Sequence, residues 1–316
     1  MAVTGLLWDE TFMKHETREG HPERPARVEA IGKAFSAAGL VDRCTKIPAR
    51  PISLDSIYAV HTKEYVDRLQ QACRDNAPFI DVPDSAICPE SFDIARLGAG
   101  GALEAVDQVM AGTIENAFCV VRPPGHHAEK SFSMGFCLLG NVALCAGHLL
   151  NEYGLDRVLI LDFDVHHGNG TQHAFETDPR VCFISIHGDP RFLYPGTGSA
   201  EERGIGEGEG TVRNIPVLPG AGDDVYHRAY EEIILPLIDD YNPEFMLLSA
   251  GFDAHRRDPL APIDLTTECF GWMTDRVKEA AARNCEGKLV SVLEGGYDLG
   301  SLAESCALHL ERLLES

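Results

Sequence analysis

None of the ten cysteines forms a Cys-x-x-Cys pair, which excludes a zinc ribbon or a thioredoxin-type redox motif. No apolar run approaches the roughly 20 residues needed to span a bilayer. The opening stretch, MAVTGLLWDE, has no basic flank and no cleavage signal, as a secretory leader would require. These absences make cytoplasmic residence the default expectation. Positive charge is also scarce: 27 Lys and Arg stand against 49 Asp and Glu, a net charge of −22. That balance disfavours nucleic acid and anionic membrane as direct partners and favours attraction of cationic substrates. With neither repeat nor linker, the 316 residues are expected to build one domain, 1–316, around one large core. Cysteines inside apolar stretches, such as Cys119 and Cys182, read as small reduced hydrophobes.

What the chain does have is alternation. Short apolar stretches at Gly5–Trp8, Phe118–Val121, Val158–Phe163, Val181–Ile186, Phe245–Ser249 and Leu289–Leu293 predict strands. Helical spacing predicts helices from Pro25 and over Leu54–Val60, Glu64–Cys73, Phe92–Met110, Leu138–Leu150, Thr171–Glu176, Asp224–Ile238, Thr267–Ala282 and Leu299–Leu313. Strands alternating with longer amphipathic helices predict an α/β, three-layer open parallel sheet with helices on both faces. Glu201–Gly210, EERGIGEGEG, reads as a mobile acidic loop, since its glutamates would repel a phosphate and no strand leads into it.

In an open parallel sheet, ligands bind beyond the carboxyl ends of the strands, and here those ends carry chemistry. Val121 is followed by Arg122 and the pair His126-His127, Ile184 by Ser185 and His187, Leu248 by Asp253 and His255, and Leu293 by Glu294 and Tyr297. The densest stretch is RVLILDFDVHHGNG, where the apolar run Val158–Leu161 leads into Asp162, Asp164, His166 and His167. Buried ionisable groups are costly unless paired, and a divalent cation would pair them. Residues two apart in an extended backbone point to the same side, so Asp164 and His166 can grip one ion, with Asp162 one step deeper. Adding Asp253 gives two oxygens and one imidazole with a fourth position left for water, the pattern of a catalytic zinc site. His126 and His127 would supply a general base, and Tyr297 a phenol for a developing oxyanion.

Taken together, HPERPAR, RPPGHH, DFDVHHGNGTQ, SAGFDAH and GGY, in that order, resemble the zinc-dependent histone deacetylases, in particular the class II branch and its bacterial amidohydrolase relatives on the arginase-deacetylase fold. The resemblance implies one Zn2+ held by Asp164, His166 and Asp253. It makes His127 the general base and later the acid, His126 a charged neighbour bonded to Asp162, and Tyr297 the oxyanion donor. Asn169 stands where class I members carry aspartate, which implies a less elevated pKa for His127. Gly135, Phe136 and Tyr194 would wall a tunnel for an acylated lysine chain, with Asp84 gripping substrate backbone at the rim. A K+ ion is implied beside the zinc, on Asp162, Asp164, His166, Ser185 and the Ile186 carbonyl, and a second through Phe175, Asp178 and Val181.

The substrate implied is an acylated lysine peptide or an acetylated amine, and the pattern is compatible with a homo-oligomer. A binuclear ureohydrolase of similar fold needs an aspartate where His255 stands. The family's polyamine specialists place glutamate at the position of Leu260, which favours acyl-lysine here. An inactive acyl-binding module would replace Tyr297, which is present.

Overall fold

Val158, Leu159, Ile160 and Leu161 have no accessible surface, so a strand made of them needs a hydrophobic layer on each side. The computed structural model describes residues 3–315, which leaves Met1, Ala2 and Ser316, at the ends of the expected domain span, outside it. Its principal elements are β1 (Thr4–Trp8), α1 (Ala26–Ala37), β2 (Thr45–Lys46), α2 (Leu54–Tyr58), α3 (Lys63–Arg74), α4 (Ser91–Met110), β3 (Asn116–Val120) and α5 (Asn141–Glu152). Then follow β4 (Val158–Asp162), α6 (Asn169–Phe175), β5 (Val181–Gly188), β6 (Val212–Val217), α7 (Asp223–Ala229), α8 (Leu235–Tyr241), β7 (Phe245–Ala250), α9 (Thr267–Cys285), β8 (Leu289–Leu293) and α10 (Leu299–Leu314). No described helix is long and apolar enough to cross a membrane.

All strand pairings are parallel, in the order β2-β1-β3-β8-β7-β4-β5-β6. The period-2 rule divides the central strands between two cores. Val158, Ile160, Phe245 and Leu247 join one cluster with residues of α3, α4 and α5. Leu159, Leu161, Met246 and Leu248 join the other with residues of α1, α9 and α10. This is the expected α/β three-layer open parallel sheet with helices on both faces. Side chains start several helices by accepting a backbone N–H, as Thr62 does from Tyr65, Thr266 from Cys269 and Asp298 from Ser301.

The structure refines the expected elements at three places. Both edge strands, β2 and β6, are absent from the sequence reading; β2 has only two residues, and β6 contains Pro216, which blunts an edge by removing a ladder donor. The helix expected over Asp224–Ile238 is present and runs without interruption from Asp223 to Tyr241, with a π-turn at Tyr230–Ile234 between α7 and α8. Pro236 at the start of α8 cannot donate to a preceding turn, and a widened turn accommodates it. The loop expected to be mobile is instead pinned. The Glu202 carboxylate accepts from Gly198 N, Ser199 N and Gln172 Nε2 at 2.9, 2.9 and 2.8 Å, and Ile205 N donates to the Glu176 carbonyl at 2.6 Å.

Leu161→Ala removes a fully buried side chain from a central strand and is expected to cost about 2–5 kcal/mol. Urea unfolding followed by circular dichroism would measure this as a lower midpoint at unchanged slope.

Candidate active site

Four neighbouring strands, β3, β8, β7 and β4, deliver the chemistry from their carboxyl ends. His166 Nδ1 lies 3.2 Å from Asp164 Oδ1 and 3.0 Å from Asp253 Oδ2. All three side chains are buried, and their ligand atoms lie within 4.8 Å of one another. Gly251 and Gly295 pack directly on these carboxylates; a Cβ on Gly251 would collide with Asp164, and one on Gly295 with Asp253 and Asp164. Backbone donors complete the support, from Val165 N to Asp253 Oδ1 at 2.9 Å and from Gly295 N to Asp164 Oδ2 at 2.8 Å. Two anionic oxygen donors and one imidazole converging in a cradle that only glycine permits fit a divalent cation.

The histidine pair sits on the loop after β3, with ring centroids 4.0 Å apart. Its members have different partners. His126 Nδ1 donates to Asp162 Oδ2 at 3.0 Å. Burial pulls this imidazole down, but the Asp164 and Asp162 carboxylates outweigh it and push the ring up to about 10, so it carries charge at neutral pH. His127 Nδ1 faces Asn169 Oδ1 at 2.7 Å. The Asn169 amide nitrogen donates to Glu129 Oε1 at 2.5 Å, which turns the amide oxygen toward His127. An acceptor at that point fixes the proton on Nδ1 and leaves the Nε2 lone pair free. Burial, then the charges of His126 and His166, hold His127 well below the ordinary histidine range.

Tyr297 follows two glycines after β8 and is held by its backbone, whose N–H donates to Asp258 Oδ2 at 2.6 Å. Burial, then the Asp253 and Asp164 charges, push its phenol well above the usual value, so it stays a donor. A cavity of about 220 Å³ opens onto these groups, lined by Asp84, His127, Gly135, Phe136, His166, Tyr194, Leu260 and Tyr297. Phe136 meets Tyr297 edge-on at 5.7 Å, and Tyr194 meets His127 edge-on at 5.2 Å. Gly135 adopts φ +56° and Phe136 φ +67°; a side chain at 135 would strike the His127 ring. Every substrate-contact residue expected from the sequence thus lines one cavity.

The residues expected to hold monovalent cations fall into two places. Ser185 is the register partner of Asp162 across β4 and β5, next to the buried Ile186, and its hydroxyl contacts His187 Nδ1 at 2.8 Å. Phe175, Asp178 and Val181 meet in the turn from α6 to β5, where the Phe175 carbonyl accepts from Asp178 N and the Asp178 carbonyl from Val181 N. The Asp178 carboxylate is paired with Arg180.

Sequence reasoning gave no role to the framework behind the site. Glu23 is fully buried between Arg122 and Arg27. Arg122 Nη2 donates to Glu23 Oε2 at 2.7 Å, and Arg27 donates through Nε to the Gly296 carbonyl at 2.7 Å and through Nη2 to the Glu294 carbonyl at 2.6 Å. The Arg27 guanidinium also lies 5.1 Å from the Tyr297 ring centroid. Glu294 Oε2 accepts from Gly125 N at 2.6 Å and His126 N at 3.1 Å, tying the histidine loop to the tyrosine loop. Glu129 and Asp258 orient Asn169 and Tyr297. Arg122 and Glu294 stand out in the sequence only as polar groups at strand ends, and Glu23 and Arg27 only as part of HPERPAR, since burial of an arginine cannot be read locally.

Comparison with known proteins agrees with the geometry. Residues 21–313 match the family described as "Histone deacetylase domain". A "Probable deacetylase" of Archaeoglobus fulgidus is 42% identical over 299 residues, covering 94% of this chain and 82% of that protein. The human "Polyamine deacetylase HDAC10" is 37% identical over 323 residues, 99% of this chain and 47% of that protein. The crystal structure of the HDA15 HD domain superposes with a TM-score of 0.94 at 38% identity, covering 99% of this chain and 88% of that one. A family match spanning residues 21–313, on a sheet whose central strand ends gather the same motifs that span contains, leads to one conclusion: the chain belongs to the histone deacetylase family.

Proposed function

We propose that this protein is a zinc-dependent amidohydrolase that removes acetyl groups from lysine side chains, with residues 1–316 acting as one catalytic domain. The observation that carries the reading is the meeting of His127, His166 and Tyr297 on one narrow cavity, with Asp164 and Asp253 directly behind His166. Asp164, His166 and Asp253 would hold zinc, which when bound would supply Lewis acidity and lower the pKa of an attacking water. His127 Nε2 takes the attacking water's proton and passes it to the leaving amine. His126, kept charged by Asp162, and the Tyr297 phenol stabilise the oxyanion as it develops.

Phe136 and Tyr194 shield the methylenes of the lysine chain, each worth about 0.8 kcal/mol when removed from water. Asp84 accepts backbone N–H groups of a peptide at the rim. Leu260 offers no charge to the second ammonium of an acetylated polyamine, which favours acyl-lysine over that alternative. A K+ ion among Asp162, Asp164, His166, Ser185 and Ile186 belongs to the same reading, as does a second at Phe175, Asp178 and Val181; the first would offset buried carboxylate charge.

Acetate release from acetyl-lysine peptides and from acetylated polyamines, run side by side, tests the proposal. Tyr297→Phe is expected to lower kcat by about 10²–10³-fold, the usual cost of one oxyanion donor. Activity confined to the polyamines would overturn the substrate assignment, and a wild type no faster than Tyr297→Phe on every substrate would point to an acyl-binding module.

Asn169→Asp places an anion against His127 Nδ1 and raises the pKa of a base that must be unprotonated to act. The acidic limb of the kcat/KM profile is therefore expected to move to higher pH. A limb that stays in place would show that His127 is not the titrating base.

A further inference from the structure

Next to the Asp164–His166–Asp253 trio lies a second convergence of donors. A ring nitrogen of His126, the Cys137 sulfur and a Glu294 carboxylate oxygen lie within 4.8 Å of one another, with all three side chains buried. Each has a donor atom that no short hydrogen bond engages. Glu294 Oε2 serves Gly125 N and His126 N, whereas Oε1 is buried with no partner. His126 Nδ1 is engaged by Asp162, while Nε2 makes only a long ion pair, 3.7 Å from Asp164 Oδ1. The Cys137 thiol has the Gly135 carbonyl at 3.2 Å, a weak contact for a poor donor.

We propose that His126, Cys137 and Glu294 form a second divalent-cation site, selective for zinc-like metals, whose occupation inhibits the enzyme. A thiolate, an imidazole and a carboxylate are the donor types zinc takes, and bond lengths of about 2.0–2.3 Å hold such donors about 3.5 Å apart. Closing the site therefore takes movements of roughly an ångström. On binding, the Cys137 thiol proton and the His126 Nε2 proton leave to solvent, while Nδ1–H remains donated to Asp162. The two new bonds run from Cys137 Sγ and His126 Nε2 to the ion, and Glu294 Oε1 supplies the third. Ions built only from oxygen-loving chemistry, such as Mg2+, are poor matches for the sulfur. Inhibition, the part that rests on the deacetylase reading, follows because an ion held on His126 Nε2 takes from the reaction a ring that would otherwise stabilise the developing oxyanion, 4.0 Å from the ring of His127.

Cobalt(II) added to the metal-free protein distinguishes the two sites without an activity assay. The Asp164–His166–Asp253 trio contains no sulfur, so cobalt there gives no thiolate charge-transfer absorption. Titration past one equivalent is expected to raise that near-ultraviolet band in the wild type and in a Cys44→Ser/Cys88→Ser control, which replaces the two half-buried thiols, and not in Cys137→Ser. Absence of the band in the wild type, or its persistence in Cys137→Ser, overturns the site. Should Cys137→Ser fail to fold by circular dichroism, Glu294→Gln replaces it. The expectation is then a second-cobalt affinity weaker by about tenfold or more, the scale on which even outer-shell partners act, and unchanged affinity overturns the proposal. With zinc, turnover of the wild type is expected to fall beyond one equivalent, and Cys137→Ser to need about tenfold more metal for the same loss. Equal sensitivity overturns the inhibitory role. A protein that proves inactive on every acetylated substrate leaves the cobalt result standing, so failure of the deacetylase reading and failure of this site are told apart.

Discussion

Asp164 and Asp253 hold oxygens around His166 Nδ1 where bulk water does not reach, at 3.2 and 3.0 Å. Anions this close in a low-dielectric interior repel unless positive charge stands between them. The surrounding architecture answers that repulsion. Backbone N–H groups of Val165 and Gly295 point at the carboxylates, and a charged His126 lies alongside. The glycines at 251 and 295 let the chain come close enough for the carboxylates to converge. The donor set fits a divalent cation, which would complete this arrangement.

The same electrostatics divides the two neighbouring histidines. His126 faces Asp162 and is driven to the charged form, whereas His127 faces an amide and is driven to the neutral form. Environments that push like groups in opposite directions assign them opposite tasks. Behind the loop that carries both rings lies a buried ionic frame, joined to it through Glu294. Glu23, Arg27 and Arg122 are fully buried, and a buried ion network endures only when its geometry and hydrogen bonds are complete. Here the arginines also donate to the carbonyls of Glu294, Gly296 and Phe12, so the network fixes the tyrosine loop against the first loop of the chain.

Much of this was legible in the chain itself because strands and helices announce themselves by period. The six strands read from apolar runs are all present, with ends moved by a residue or two. The edge strands β2 and β6 escaped, being two residues long and proline-bearing, respectively. The helix that hydrophobic spacing presents as continuous does run on, through a π-turn just ahead of Pro236. Composition marks the acidic stretch at 201–210 as solvent-loving, whereas in the fold Glu202 caps a turn and meets Gln172.

The order of residues by itself determined the strand-to-helix alternation, the polar groups at the strand ends and, through Asp164 and His166 two positions apart, two of the three candidate metal ligands. Those features depend on local period and on chemistry carried by single residues. Tertiary structure alone decided that β8 inserts between β3 and β7, which sets Tyr297 beside a histidine pair some 170 positions earlier in the chain and gives Glu294 its hold on both loops. It also decided which histidine meets a carboxylate and which an amide. Sheet order and burial are set by long-range packing, which no local pattern encodes.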